Sequence, residues 1–324
     1  MLKVLCTKWI PLELRKDYDD VFSFIVPEEE NGKFSEAEIK ELLGDADILF
    51  LVSGPACPKE LIDCGKKLQI IGTLGVGYDS IDVKYAAEKK IPVINSPTKV
   101  TNATAEHTVA LMMACMHCIT YYDRNMRKGI WENHVFGGVQ TGLSGSTLGI
   151  VGMGRIGKSV AKKAKALGMN IQYCDVIPLT NSEEEEYGAK LCTFDDLLRT
   201  SDCVTVHVPL NPENYHLFDK ASFDLMKDGA YFINAARGGI VDTDALVEAL
   251  KSGKLKAAGL DVFSPEPYLE GELLSLDNVI ISPHVASETT EARISMAKET
   301  LDGVASLIRN EVPYNIVNPE ALAR

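Results

Sequence analysis

The chain has 324 residues, 46% hydrophobic and 24% charged, the make-up of an ordinary globular protein and not of a disordered or fibrous one. Its 33 basic against 46 acidic side chains leave a net charge of −13, with no basic block to displace counterions from a nucleic-acid backbone, so nucleic acid is not expected as a partner. The most apolar stretch, 108–119, is interrupted by His117 and falls short of the roughly 20 residues a bilayer needs, so no membrane span is expected. The first eleven residues, with Lys3 and Lys8 inside a brief apolar run, do not have the ordered regions of a signal peptide, and a cytoplasmic protein of about two domains is expected.

From the N-terminus, short apolar runs at 3–7, 22–26, 48–52, 68–72 and 92–95 read as strands, with helical patterns at 35–43 and 81–89 between them. Ser35 and Glu38 supply the Ser-x-x-Glu pattern that opens a helix. Such alternation predicts a parallel sheet covered by helices. After Pro97 a long helical run is expected over 102–128, its apolar stripe formed by residues 108, 111, 112, 115, 119 and 122. A glycine-rich loop at 137–149 follows. A second series of strands is expected at 148–151, 170–174, 203–208, 231–234, 257–260 and 279–282, then a helix over 294–309 and an irregular tail. The tail is too short to form a domain and must pack on one already built, most simply the first. The acidic run 183–186 reads as a solvated loop or helix start.

Eight cysteines are scattered through apolar runs, as reduced buried thiols and not as a disulfide framework. Cys115 and Cys118 form a C-x-x-C near His107 and His117, but no second ligand pair follows at zinc-site spacing, and a pair in the middle of a helix lacks the helix-start position that stabilises a redox thiolate. Packing is the expected role, and no metal site is expected.

The sharpest motif is Gly152-Met153-Gly154-Arg155-Ile156-Gly157, directly after one expected strand and opening an expected helix over 155–167. In that setting Gly152 allows a tight turn, Gly154 lets backbone approach a pyrophosphate, Gly157 permits close helix and strand packing, and free helix N–H groups stabilise the anion. Asp175 ends the next strand, about 20 residues on, where a carboxylate binds ribose hydroxyls and repels a 2′-phosphate. Residues 176–179 contain no basic side chain to accept that phosphate, so NAD is expected over NADP. At the ends of later strands, where open α/β sheets bind ligands, stand Arg237 in Asn234-Ala235-Ala236-Arg237-Gly238, Asp261 and Glu266 in Asp261-Val262-Phe263-Ser264-Pro265-Glu266-Pro267, and His284 in Ser282-Pro283-His284.

These segments, together with Gly75-Val76-Gly77-Tyr78-Asp79-Ser80-Ile81-Asp82 and Ala105-Glu106-His107, resemble the D-isomer-specific 2-hydroxyacid dehydrogenase family from about residue 45 to Val317-Asn318-Pro319. Residues 147–157 and 234–242 look most like its glyoxylate and hydroxypyruvate reductase branch. The resemblance implies an α/β fold in which a Rossmann NAD-binding domain (99–285) is inserted into a flavodoxin-like substrate domain (1–98 and 286–324), with a cleft between them and a homodimeric assembly. It implies a catalytic set of Arg237, Glu266 and His284. The implied cofactor contacts are the fingerprint residues Gly152, Gly154, Arg155, Ile156 and Gly157, then Asp175, Thr108, His207, Val208, Pro209, Ala235, Ala236 and Asp261. The substrate contacts would come from Val76, Gly77, Tyr78, Arg237 and His284.

The chemistry of these residue types agrees with that assignment. Reducing a 2-oxo acid needs a hydride, a proton for the developing alkoxide and a fixed cation on the carboxylate and carbonyl oxygens. His284 suits the proton, a Glu266 carboxylate beside it favours the imidazolium, and the planar fork of Arg237 suits the clamp. Backbone N–H groups of Val76 and Gly77 suit a substrate carboxylate.

Other residues have plainer readings. Arg237 and Glu266 could form a structural ion pair, and His207 could be a packing residue as readily as a neighbour of the nicotinamide. Glu106 and His107 are expected to fix helix packing near the cofactor. Trp131 fits ordinary burial as well as an interdomain or dimer-arm aromatic, and Ser53 and Gly54 join Tyr78 as candidate pocket lining.

The family's Thr-Pro-x-Thr is Asn211-Pro212-Glu213-Asn214 here, and Ser264 stands where an acid is common. Val285-Ala286-Ser287-Glu288 in place of aromatic residues argues against the D-lactate branch, and glutamate at 266 against formate. The expected activity is NAD-dependent reduction of a small 2-oxo acid to its D-2-hydroxy acid. The rivals are a short phosphoglycerate dehydrogenase and a non-catalytic NAD(H)-sensing corepressor-like protein, the latter disfavoured by the absence of extra tails.

Overall fold

The computed structural model describes residues 1–52, 56–131 and 139–323, so Ser53, Gly54 and the start of the glycine-rich passage lie outside the described residues. The chain divides into two compact units, Met1–Val100 with Glu288–Arg324, and Thr101–Ser287.

In the first unit β1 (Leu2–Cys6), α1 (Leu12–Lys16), β2 (Phe22–Ile25), α2 (Glu36–Leu43), β3 (Ile48–Leu51), α3 (Lys59–Ile62), β4 (Ile70–Thr73), α4 (Val83–Glu88) and β5 (Val93–Ile94) alternate along the chain. Among the described residues the strands form one parallel sheet in the order β2-β1-β3-β4-β5, the flavodoxin-like order. Apolar side chains cover both faces, which is why β3 reads as an unbroken apolar run with every residue buried. The Ser35 and Glu38 pattern closes as a capping box: the Glu38 N–H reaches Ser35 Oγ at 3.3 Å, and the Ser35 N–H reaches Glu38 Oε2 at 2.7 Å.

The second unit contains α5 (Thr101–Met116), α6 (Ile119–Arg127), β6 (Thr147–Val151), α7 (Arg155–Ala166), β7 (Asn170–Cys174), α8 (Asn181–Tyr187), β8 (Ala189–Leu191), α9 (Phe194–Thr200), β9 (Cys203–Val206), α10 (Lys220–Leu225), β10 (Ala230–Asn234), α11 (Thr243–Lys251), β11 (Leu255–Leu260) and β12 (Val279–Ile281). Its parallel sheet runs β12-β11-β10-β9-β6-β7-β8, the doubly wound dinucleotide-binding order. Strand order reverses between β6 and β9, so the loops after these two strands flank the crevice where such sheets take ligands. The chain then returns to the first unit through α12 (Thr290–Ile308), whose Thr300 hydroxyl donates to the Thr73 carbonyl and whose Leu301 and Val304 are sealed in the core beside β4.

Three expectations are corrected. The helix expected over 102–128 breaks at Cys118, which adopts φ +52 between α5 and α6. The loop after the undescribed residues supplies the reason: the Thr141 N–H takes the Met116 carbonyl at 2.8 Å, and Cys118 Sγ reaches the Val139 carbonyl at 3.5 Å. A tertiary partner thus ends the helix that periodicity would continue. The apolar stripe is buried through Cys115, but Ile119 is exposed. Cys118 therefore caps α6 instead of lying in mid-helix. Both thiols nevertheless fit packing, since burial pushes Cys115 up to about 12 and also raises Cys118. Second, β8 forms at the sheet edge where no strand is expected, too short to show a period. Third, Trp131 is 78% exposed, which removes ordinary burial as its explanation. No described helix is long and apolar enough to cross a membrane.

Candidate active site

The glycine fingerprint lies at the reversal of strand order in the second sheet. Gly152 follows β6 with φ +97, and a Cβ there would sit 2.7 Å from the His207 carbonyl carbon, so only glycine lets the turn lie against the end of β9. A Cβ on Gly154 would meet nothing within 4 Å, so this backbone stands open to an approaching group. Gly154 caps α7 without a side-chain hydrogen bond, leaving the first helical N–H groups to an external acceptor. Asp175, just past β7, accepts the Met153 N–H on Oδ2 at 2.6 Å and the Ile177 N–H on Oδ1 at 2.9 Å. The carboxylate is thereby aimed beside the glycine turn, with acceptor capacity left for hydroxyls. An open backbone, an uncapped helix start and a carboxylate at the next strand end fit a dinucleotide.

The remaining candidates follow β9, β10, β11 and β12. His207 Nε2 pairs with Thr205 Oγ1 at 3.1 Å, and burial pushes the imidazole down to about 3, so the ring is neutral at physiological pH. Val208 is half-buried and Pro209 exposed. After β10, Asn234 Oδ1 accepts the Ala236 N–H and Nδ2 donates to the Arg237 carbonyl, both at 3.0 Å, folding the chain end so that Arg237 Nη1 donates to the Ala236 carbonyl at 2.7 Å. Thr108 is buried in α5, its hydroxyl donating to the Thr104 carbonyl at 2.8 Å.

Glu266 and His284 meet directly. His284 Nδ1 lies 2.8 Å from Glu266 Oε2, and the Phe263 N–H donates to Oε1 at 2.9 Å. Burial acts to raise the Glu266 carboxyl, but its bonds from His284 and Phe263, with the charges of His284 and Arg237, outweigh burial and hold it below the usual carboxylate range. The Arg237 charge therefore acts on Glu266. His284 and Glu266 keep 45% and 36% of their side-chain surface exposed, so the imidazole is accessible to a ligand. With Nδ1 committed to Glu266, Nε2 is the nitrogen left to face a reactant.

Asp261 differs from the others. Its side chain is fully buried and bonded to its own loop, accepting Ser282 Oγ–H at 2.6 Å and the Val285 N–H at 2.9 Å on Oδ1, and the Ala286 N–H at 2.8 Å on Oδ2. Of the remaining candidates, Val76, Gly77 and Tyr78 belong to the first unit, in the loop after β4. Val76 and Tyr78 are 37% and 45% exposed, and the Val76 and Gly77 N–H groups have no hydrogen-bond acceptor among the described residues. The sequence reading assigned no role to Asn234 or Ser282. The signal available was a polar side chain at the end of a strand, two or three residues before the functional group it folds around.

Residues 109–286 match the family model described as D-isomer specific 2-hydroxyacid dehydrogenase, NAD binding domain. Over 287 residues, 87% of this chain and 86% of the relative, the sequence is 41% identical to glyoxylate reductase of Thermococcus litoralis. It is 44% identical over 261 residues to D-3-phosphoglycerate dehydrogenase of Archaeoglobus fulgidus, spanning 80% of this chain and 49% of that one. The crystal structure of a glyoxylate reductase from Paecilomyes thermophila shares the fold with a TM-score of 0.85 at 31% identity, covering 98% of each chain. The chain belongs to the D-isomer specific 2-hydroxyacid dehydrogenase family, as an NAD(P)-dependent oxidoreductase acting on CH–OH groups.

Proposed function

We propose that the enzyme is an NAD-dependent reductase of small 2-oxo acids of the glyoxylate and hydroxypyruvate type, working as a homodimer, with His284 as acid and base, Glu266 as its partner and Arg237 as the substrate clamp. The observation that carries the reading is the 2.8 Å contact of His284 Nδ1 with Glu266 Oε2, a carboxylate on which the Arg237 charge also acts. A carboxylate on Nδ1 fixes the orientation of the ring and turns Nε2 toward the reactant. The Arg237 guanidinium pairs with the substrate carboxylate and stabilises the oxygen on which negative charge develops.

Bound NADH supplies the hydride. The residues that would hold it are the Gly152–Gly157 turn and the start of α7 for the pyrophosphate and Asp175 for the ribose, with Ala235, Ala236, His207, Val208 and Pro209 beside the ring end. Asp175 repels a 2′-phosphate, which supports NAD over NADP. The Val76 and Gly77 N–H groups are assigned to the substrate carboxylate and Tyr78 to the pocket lining.

A second reading, turnover of a 3-phospho-2-hydroxy acid, is favoured by the 44% identity to a phosphoglycerate dehydrogenase. NADH consumption on glyoxylate, hydroxypyruvate, pyruvate, phenylpyruvate, 2-oxoisocaproate and phosphohydroxypyruvate, repeated with NADPH, separates the two. The highest kcat/KM is expected on glyoxylate or hydroxypyruvate with NADH. A maximum on phosphohydroxypyruvate would replace the first reading by the second, and tight NADH binding without turnover would overturn both.

A further inference from the structure

The loop that carries His284 is held in a conformation its own sequence does not favour. His284 adopts φ +56, the left-handed region that costs a residue with a Cβ about 1 kcal/mol or more. Its N–H is bound to the Asp261 carbonyl at 2.8 Å, and the next two N–H groups, of Val285 and Ala286, end on the Asp261 carboxylate. The left-handed turn is thus held on both sides by Asp261, its carbonyl taking the His284 N–H and its fully buried carboxylate the two amides that follow.

A buried carboxylate is tolerated only when hydrogen bonds compensate its lost hydration. His107, on α5, brings its Nε2 to 3.5 Å from Asp261 Oδ1. The same nitrogen lies 2.9 Å from Ser282 Oγ. The direction of that bond follows from its neighbour: the Ser282 hydroxyl already donates to Asp261 Oδ1 at 2.6 Å, so its oxygen accepts and His107 Nε2–H donates. A continuous chain therefore runs from the His107 ring through Ser282 and Asp261 to the two amides that follow His284. Burial acts to raise the Asp261 carboxyl, yet the His107 ring nearby and the bonds from Ser282, Val285 and Ala286 keep it below its usual range, consistent with an ionised group that its donors hold.

We propose that His107 is a positioning residue for the reaction: its Nε2–H locks Ser282 and Asp261, and through them fixes the left-handed turn that aims His284. It does not touch substrate. The proposal rests on the reading of His284 as the acid and base, and goes beyond a packing role for His107 on α5. Proton transfer depends on a heavy-atom approach of about 2.6–3.2 Å, so a loosened turn lowers the chemical step while leaving the glycine turn and Asp175 intact.

The test compares His107→Leu, which removes the donor, with His107→Gln, which restores a side-chain N–H, and with Ser282→Ala, which cuts the chain at its middle link. Hydrogen exchange at the Val285 and Ala286 amides reads the lock without reference to activity. It is expected to accelerate at least tenfold in His107→Leu and Ser282→Ala and to recover largely in His107→Gln. With the preferred 2-oxo acid, kcat is expected to fall about tenfold or more in His107→Leu with NADH affinity within twofold of the parent, and the solvent isotope effect on kcat to rise as proton transfer becomes limiting. Unchanged exchange at the two amides in His107→Leu, or glutamine failing to rescue it, would overturn the proposal whatever the activities show. Faster exchange with no change in kcat would instead place the failure in the role given to His284.

Discussion

Glu266 holds His284 by one oxygen and its own loop by the other: Oε2 lies 2.8 Å from His284 Nδ1, while Oε1 accepts the Phe263 N–H at 2.9 Å. The carboxylate is thus an oriented group and not a mobile surface charge. Replacing it by the neutral isostere in Glu266→Gln keeps the size of the side chain but removes the charge that accepts the imidazole N–H. For 2-oxo acid reduction kcat is expected to fall about tenfold or more, given roughly 1.5–3 kcal/mol for a hydrogen bond to a charged group, with NADH affinity within twofold. Steady-state kinetics measure this, and an unchanged kcat would remove Glu266 from the positioning of His284.

For His284→Gln the proton donor is lost while the cofactor residues stay in place. kcat is expected to fall by about 10²–10⁴, with NADH affinity, read by fluorescence, within twofold. Equal losses in both quantities would assign His284 to cofactor binding instead.

Asp175 tests the cofactor preference. Bound to the Met153 and Ile177 N–H groups, the carboxylate is held at the β7 end, where a 2′-phosphate would meet its charge. In Asp175→Ala the ratio of kcat/KM for NADH over NADPH is expected to drop about tenfold or more, given roughly 1.5–3 kcal/mol for a hydrogen bond to a charged group. A constant ratio would remove Asp175 from the ribose site.

Two glycines separate packing from binding. A Cβ on Gly238 would lie 1.9 Å from the Phe263 carbonyl carbon, a backbone atom that cannot yield cheaply, whereas a Cβ on Gly154 enters open space. Gly238→Ala is expected to cost about 1–3 kcal/mol and lower Tm by several degrees. Gly154→Ala is expected to keep the parent Tm without cofactor but weaken NADH binding. Calorimetry with and without NADH distinguishes them, and a matching Tm loss in both would refute the contrast.

His207 sets a pH dependence of stability. Because burial lowers its native pKa to about 3, the unfolded state binds the extra proton first as pH falls below about 6.5. The native state therefore loses stability on acidification through that window, by at most about 1.4 kcal/mol per pH unit, and regains it as pH rises. His207→Asn is expected to flatten Tm against pH between 5 and 6.5. An equally steep slope in the variant would place the effect elsewhere.

The parallel sheets were legible in the residues because buried strands are mostly apolar: all four residues of β3 and the first four of β10 are buried and apolar, and each strand was visible as a run. The end of α5 was not legible, since the carbonyl of Met116 is taken by Thr141, a partner more than twenty residues away that no periodicity encodes. The edge strand β8 was missed for a related reason: two of its three residues are exposed, so burial imposes no pattern on it.

The candidate site divides the same way. Residue type and chain order alone determined that a glycine turn precedes a helix, that a carboxylate ends the next strand, and that Arg237, Glu266 and His284 follow later strands, because these properties belong to short segments. Tertiary structure alone decided that Glu266 Oε2 reaches His284 Nδ1, that Asp261 commits its carboxylate to Ser282, Val285 and Ala286, and that His107 joins that chain from α5. Hydrogen bonds act over about 3 Å whatever the distance along the chain, so the partner that orients a reactive group is set by where the backbone brings the two together.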